Sequence, residues 1–299
     1  MKKENTRYRV PMNPVACGEA MVTGDGYRFT ILTERLIRME YQKENQFTDE
    51  ATQTVVCRQF DVPEYRVIDE ENRLEIVTSE LHLYYDKKKF CPQGLRIELK
   101  TGYAVYGSVW NYGDELNDLR GTARTLDNAD GAVELEHGLM SRDGFSVIDD
   151  SNTAVLDPDG NIRVRSVKEE DIYFLGYGHD YLGCLKEFYK LCGRTPLLPR
   201  YTLGNWWSRF YPYTEQSYLE LMEKFACKDI PFSVAVIDMD WHLTDIPKEY
   251  GSGWTGYTWN KKYFPNPERF LQTLHKMGRH VTLNVHPADG VRAYEEVYE

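Results

Sequence analysis

The stretch "FSVAVIDMDW" (Phe232–Trp241) decides how the last third of this chain is read. Its opening is a near-continuous apolar run rich in β-branched residues, the pattern of a strand buried on both faces of a parallel sheet. Two carboxylates, Asp238 and Asp240, then stand two positions apart, and Trp241 and His242 follow at once. In a parallel α/β sheet, ligands bind beyond the carboxyl ends of the strands, so an apolar run ending in acidic and aromatic residues marks a place to look for one.

The flanking sequence keeps the same rhythm. "TLGNWWS" (Thr202–Ser208) reads as a short strand, and "TEQSYLELMEKFACKD" (Thr214–Asp229) as a helix capped by Thr214 with Leu219, Met222 and Phe225 facing inward. "NPERFLQTLHKMG" (Asn266–Gly278) reads as a second helix, with Pro267 in its first turn and Gly278 at its stop. "HVTLNVHP" (His280–Pro287) is the next strand, and "RAYEEVYE" (Arg292–Glu299) is expected to start another helix. Repeated βα units imply a parallel sheet with right-handed crossovers. Polar and aromatic residues gather after each strand: Trp206, Trp207, Ser208 and Arg209; Asp238, Asp240, Trp241 and His242; Asn284, His286 and Asp289.

Upstream the period changes to two. "YRFTILTERLIRMEY" (Tyr27–Tyr41), "RLEIVTSELHLYYD" (Arg73–Asp86), "NIRVRSV" (Asn161–Val167) and "DIYFLGYG" (Asp171–Gly178) alternate or are rich in β-formers, between turns such as "PQG" and "DPDG". Ile31, Leu36, Ile37, Leu74, Ile76, Leu81, Leu83 and Tyr85 are expected to face a core, with Ile162 and Val164 patterned likewise. These short strands suggest a β-sandwich. One helix, "DYLGCLKEFYKLCG" (Asp180–Gly193), closes the region. "RTPLLPR" (Arg194–Arg200), with two prolines and no periodicity, is the boundary. The fold class is therefore multidomain, β then α/β.

Composition narrows the function. Among 299 residues, 36 are Lys or Arg and 47 are Asp or Glu, for a net charge of −11, with no basic run. Nucleic acid and anionic membranes are poor partners for such a chain. No apolar stretch reaches the length of a membrane span, and "MKKENTRYRV" shows no signal peptide. The six cysteines form no C-x-x-C and the seven histidines no H-E-x-x-H, so no metal and no cofactor are expected. Scattered thiols suit a reducing, cytoplasmic setting.

On a regular strand Asp238 and Asp240 would share one face, about 6.5–7 Å apart. A glycosidase pair must flank the scissile bond, and neighbours on one strand approach a sugar from the same side. The two fit better as acceptors for sugar hydroxyls through charge-assisted hydrogen bonds. Alternatively, one of them caps the following loop or pairs with Arg209.

"LGNWWSRFYPYTEQSY", "VAVIDMDWH", "GWTGYTWNKKYFPNPERFLQTLH" and "VTLNVHPADGV", in this order, resemble the first barrel segments of glycoside hydrolase family 31. "FTILTERLIRMEY", "LRGTARTLDNADG" and "GLMSRDGFSVIDDS" resemble the family's N-terminal sandwich. The resemblance implies a galactose-mutarotase-like β-sandwich over residues 1–196, then the start of a (β/α)8 TIM barrel over 197–299. It implies a retaining α-glycosidase, α-glucosidase-like, acting on terminal α-linked glucose or related sugars of oligosaccharides. Asp238 would bind the outer hydroxyls of the glycone and Phe210 would form an aromatic wall. Asp240, Trp254, Trp259 and His286 would complete the lining, although "GWTGYTWN" also reads as a loop stapled by its own aromatics. The nucleophile and acid/base aspartates of the family are expected beyond Glu299. Such a barrel takes about 250 residues, so an incomplete barrel, inactive by itself and part of a longer enzyme, is expected. A non-catalytic carbohydrate-binding protein, or one chain of a split enzyme, is the alternative.

Overall fold

The computed structural model describes residues 11–100, 108–123 and 129–298. The reading of the first ten residues and the centre of "LRGTARTLDNADG" fall outside the described residues. The chain divides into two compact units, Met1–Thr195 and Pro196–Glu299, and the division falls within "RTPLLPR".

The first unit is built from β1 (Met21–Gly24), β2 (Tyr27–Thr33), β3 (Leu36–Tyr41), β4 (Ala51–Thr52), β5 (Arg66–Glu70), β6 (Arg73–Val77), β7 (Leu81–Tyr85), β8 (Leu95–Leu99), β9 (Ser108–Asn111), β10 (Ser146–Asp149), β11 (Val155–Leu156), β12 (Ile162–Arg163), β13 (Glu170–Leu175) and α1 (Tyr181–Cys192). Two five-stranded antiparallel sheets, β1-β2-β3-β13-β10 and β5-β6-β7-β8-β9, carry the fold beside a small sheet β12-β11-β4. Tyr27, Phe29, Ile31, Ile37, Met39, Ile172 and Phe174 of the first sheet share one core with Leu74, Ile76, Leu81, Leu83, Tyr85 and Ile97 of the second. This is sheet-on-sheet packing, and period-two alternation produces it.

The other face of the first sheet is buried too. Leu32, Leu36, Tyr173 and Leu175 pack with Val55 and with Cys184 and Leu191 of α1. Both faces of β2 are therefore covered, and all residues from Tyr27 to Leu32 are buried. The same face also holds a buried ionic network. Arg38 binds both Asp171 oxygens, at 2.8 Å each, and Glu40 at 3.0 Å. Arg28 binds Glu40 at 2.7 and 2.8 Å, and Arg165 reaches Asp150, Glu169 and Asp171. Arg58 donates to the Tyr173 hydroxyl at 2.6 Å and to the carbonyls of Pro14 and Glu50. Burial pushes the Glu40 carboxyl up, against the pull of Arg38 and Arg28. At Asp171 burial acts the same way, yet Arg38, with Arg58 and Arg165, outweighs it and brings the carboxyl down to about 2.

The alternation read in "NIRVRSV" does not make a buried strand. Ile162 is 62% exposed and Val164 84%. Only two residues of β12 pair, and only with β11, so the hairpin is too short to build a covered face. Its turn is ordered by polar contacts instead, Asp157 accepting from the backbone N–H groups of Asp159 and Asn161 at 2.9 Å.

The second unit comprises β14 (Trp206–Trp207), α2 (Glu215–Cys227), β15 (Val234–Ile237), α3 (Pro267–Lys276) and β16 (His280–Leu283). The three strands pair in parallel in the order β14-β15-β16. Thr214 caps α2 through a reciprocal capping box with Ser217, and Asn266 caps α3 by accepting from the Arg269 N–H, with Pro267 in the first turn. Tyr218 and Met222 of α2 and Phe270 and Leu274 of α3 close over Ala235, Ile237 and Trp241. The buried Tyr218 hydroxyl donates to the Val236 carbonyl at 2.9 Å. No helix of the described residues is long and apolar enough to cross a membrane.

"RAYEEVYE" forms turns over its described residues, not the expected helix. Helical pattern loses here to a tertiary contact. The Glu295 side chain is buried against Tyr257 and Thr258, a contact 37 residues away in sequence.

Candidate active site

β15 stops at Ile237, one residue short of the acidic pair. Asp238 is half-buried just past the strand, and Asn284, one residue past β16, donates from Nδ2 to its Oδ1 at 3.0 Å. The backbone carries the same join: Asn284 N–H donates to the Ile237 carbonyl at 3.0 Å, and Trp241 Nε1 to the Asn284 carbonyl at 2.7 Å. Asp238 is thereby oriented from the neighbouring strand and keeps acceptor capacity for a ligand.

Asp240 has a different setting. Its φ of 68° is left-handed, so the chain turns and the shared-face spacing of a regular strand does not extend to the pair. Thr244 donates to Asp240 Oδ1 at 3.3 Å. Asp240 thus bonds to a side chain of the following loop, while Arg209 stacks over the Tyr211 ring at 4.6 Å.

Three of the expected aromatic residues come together. The Trp254 ring centroid lies 6.3 Å from Phe210 and 4.6 Å from His286. Trp254 is 49% exposed and Phe210 68%, so the row presents ring surface outward. Trp259 does not join it. It packs 5.0 Å from Trp241 and 5.6 Å from Phe264 at the hydrophobic core, as the stapled-loop reading has it. Trp207 likewise packs on Phe225, at 4.8 Å.

The loop that carries Trp254 depends on close backbone approach. His242 is fully buried, its Nδ1 faces the Leu243 carbonyl at 3.0 Å, and a side chain at Gly256 would meet that nitrogen at 2.1 Å. Gly253 has φ +74°, and a Cβ there would lie 2.2 Å from the Thr244 carbonyl oxygen. Gly253→Ala is therefore expected to destabilise this unit by about 2 kcal/mol or more, read as a lower urea midpoint in tryptophan fluorescence. An unchanged midpoint would mean that the loop relaxes freely. Residue pattern does not single out Thr255, whose hydroxyl donates to the His286 carbonyl and accepts from the Asp289 N–H at 3.3 Å. A contact to a backbone carbonyl leaves no mark in residue pattern.

Among the described residues no group of three or more His, Cys, Asp or Glu side chains is placed to hold a metal, and all six cysteines are free thiols.

Comparison with known proteins fits this arrangement. Residues 195–299 match the family model for the glycosyl hydrolases family 31 TIM-barrel domain. Over these residues the chain carries part of the family 31 barrel domain. It is 24% identical over 210 residues to an α-xylosidase of Saccharolobus solfataricus, covering 64% of this chain and 27% of that protein. It is 30% identical over 115 residues to α-glucosidase 2 of Bacillus thermoamyloliquefaciens, covering 38% and 14%. The chain thus spans about a quarter or less of the length of these relatives. Among solved structures it resembles a family 31 dextranase of Flavobacterium johnsoniae complexed with isomaltotriose, at 13% identity and TM-score 0.56, covering 89% of this chain and 36% of that one. It also resembles a soil-metagenome family 31 α-xylosidase complexed with xylose, at 14% identity and TM-score 0.53, covering 88% and 45%. These structural likenesses carry the fold: antiparallel β-sheets followed by part of a family 31 TIM barrel.

Proposed function

We propose that this chain supplies the sandwich and part of the glycone site of a retaining α-glycosidase that removes terminal α-linked glucose or a related sugar from oligosaccharides. The observation that carries the reading is Asp238. It sits at the carboxyl end of β15, is oriented by Asn284, and keeps acceptor capacity for sugar hydroxyls. Phe210, Trp254 and His286 form the aromatic wall, and aromatic faces suit the apolar faces of a pyranose. The relatives' names, α-xylosidase and α-glucosidase, support an α-linked sugar.

Retaining hydrolysis needs one carboxylate to attack the anomeric carbon and another to protonate the leaving oxygen from the opposite side. Asp238 and Asp240, separated by a single residue, do not flank a bond. Asp238 acts by binding and orienting the glycone, and the catalytic pair comes from elsewhere in the complete enzyme. Among the described residues, β14 and β16 each pair on one side only. Such open edges call for further strands, whether from the same chain or, in a split enzyme, from another.

The test is a titration of the 299-residue chain with glucose and with xylose, followed by tryptophan fluorescence and NMR line shifts. Saturable binding that perturbs Trp254 is expected. Binding of neither sugar would remove the glycone-site assignment. A tighter response to xylose than to glucose would indicate a site that excludes the sugar's C6 hydroxymethyl group. Saturable binding in an intact assembly that turns over no α-glycoside would favour a carbohydrate-binding protein instead.

A further inference from the structure

We infer that Glu295 is a positioning residue for the aromatic wall, its buried carboxylate clasping the loop that carries Trp254; this rests on the glycone-site reading above. Glu295 is only 5% exposed. Its Oε1 accepts from the Tyr257 N–H at 3.2 Å and its Oε2 from the Thr258 hydroxyl. The same hydroxyl oxygen accepts from the Glu296 N–H at 2.8 Å, so the two segments are tied reciprocally. A carboxylate buried this far is costly unless its oxygens are hydrogen-bonded, and both oxygens of Glu295 are taken up by one loop.

Two further contacts hold that loop to the segment after β16. The Tyr250 and Tyr294 rings lie 5.3 Å apart, and Thr255 is tied to His286 and Asp289. Trp254 lies between these fastenings in sequence, and its own ring is half exposed. The ring meets His286 and Phe210 but is half open to solvent, so the backbone beneath helps to set its angle. A wall that is rigid before the sugar arrives loses less entropy on binding. Glu295 thus acts through Trp254 and touches no substrate.

The experiment is 19F NMR of the full chain labelled with 5-fluorotryptophan, the Trp254 line being assigned with Trp254→Phe. In Glu295→Ala the Trp254 line is expected to shift and broaden while the line of Trp110, in the other unit, stays in place. Affinity for glucose or xylose should fall about tenfold. Glu295→Gln, which keeps an acceptor for the Tyr257 N–H, should restore most of both. An unmoved Trp254 line, or unchanged affinity in Glu295→Ala, overturns the inference. Should that variant fail to fold, Thr258→Val removes the same hydroxyl contact at nearly constant volume, and the same two outcomes decide. If the unmodified chain binds neither sugar, the glycone-site reading fails, and the Trp254 line alone still judges the clasp.

Discussion

Asp171→Asn is expected to destabilise the sandwich unit by about 3–5 kcal/mol at neutral pH, because it strips a buried guanidinium of its partner. Arg38, 1% exposed, holds both Asp171 oxygens at 2.8 Å, and Arg165 adds a contact at 3.0 Å. The asparagine keeps the shape but not the charge, so Arg38 would remain buried with only part of its compensation. The effect has a pH signature. Asp171 is held at about 2 in the folded chain, against about 3.9 for an unperturbed aspartate. A carboxyl depressed on folding contributes its stabilisation in full above the unfolded value and loses it as pH falls through the folded one. The gap between the parent and Asp171→Asn should therefore be complete above about pH 4 and narrow towards pH 2. Trp110 is the sole tryptophan of residues 1–195 and reports this unit's urea unfolding directly. A gap below about 1 kcal/mol at pH 7, or one that widens in acid, would sink the account. Comparing the two proteins at each pH matters, because Glu40 and Asp150, whose carboxyls are pushed up by burial, titrate in the opposite sense.

Asp238→Ala is expected to weaken glucose or xylose binding by about a hundredfold, enough to take a monosaccharide beyond detection. A hydrogen bond to a charged group contributes about 1.5–3 kcal/mol, and the proposed role gives Asp238 two sugar hydroxyls. Asn284→Ala should cost less, about tenfold, since it loosens the carboxylate without removing it. Asp240→Ala should act mainly on stability, because Asp240 is engaged with Thr244 in its own loop. Calorimetric titration of the three variants separates these roles. Undiminished binding by Asp238→Ala would fail the assignment, and a greater loss in Asp240→Ala than in Asp238→Ala would reverse it.

The elements were legible where the signal is local. Thr214 caps the helix that its position announces, Pro267 stands in the first turn of the next, and the apolar run ending at Ile237 is the buried central strand of a parallel sheet. Asp238 could be singled out because such a run points its end towards a ligand. The aromatic row was only partly legible. Phe210, Trp254 and His286 meet, whereas Trp259, five residues from Trp254, turns into the core. Residue type is the same at both positions, and nothing in their spacing separates them. The failures at Ile162, Val164 and "RAYEEVYE" have one origin: periodicity predicts a face, but whether anything covers that face depends on distant chain.

The sequence by itself determined the division into a β-rich part and a βα part, the strands and helices with strong periodicity, and the end of β15 as the place for chemistry. Each follows from interactions within a few residues, through burial periodicity, caps and turn chemistry. Only the tertiary structure decided that the backbone is left-handed at Asp240, that Asn284 orients Asp238, and that Glu295 holds the loop of Trp254. It alone brought Arg38 to Asp171, 133 residues away. Contacts of that range are selected by the need to satisfy buried charge and polar groups once the sheets have packed, and local pattern carries no record of which distant partner meets that need.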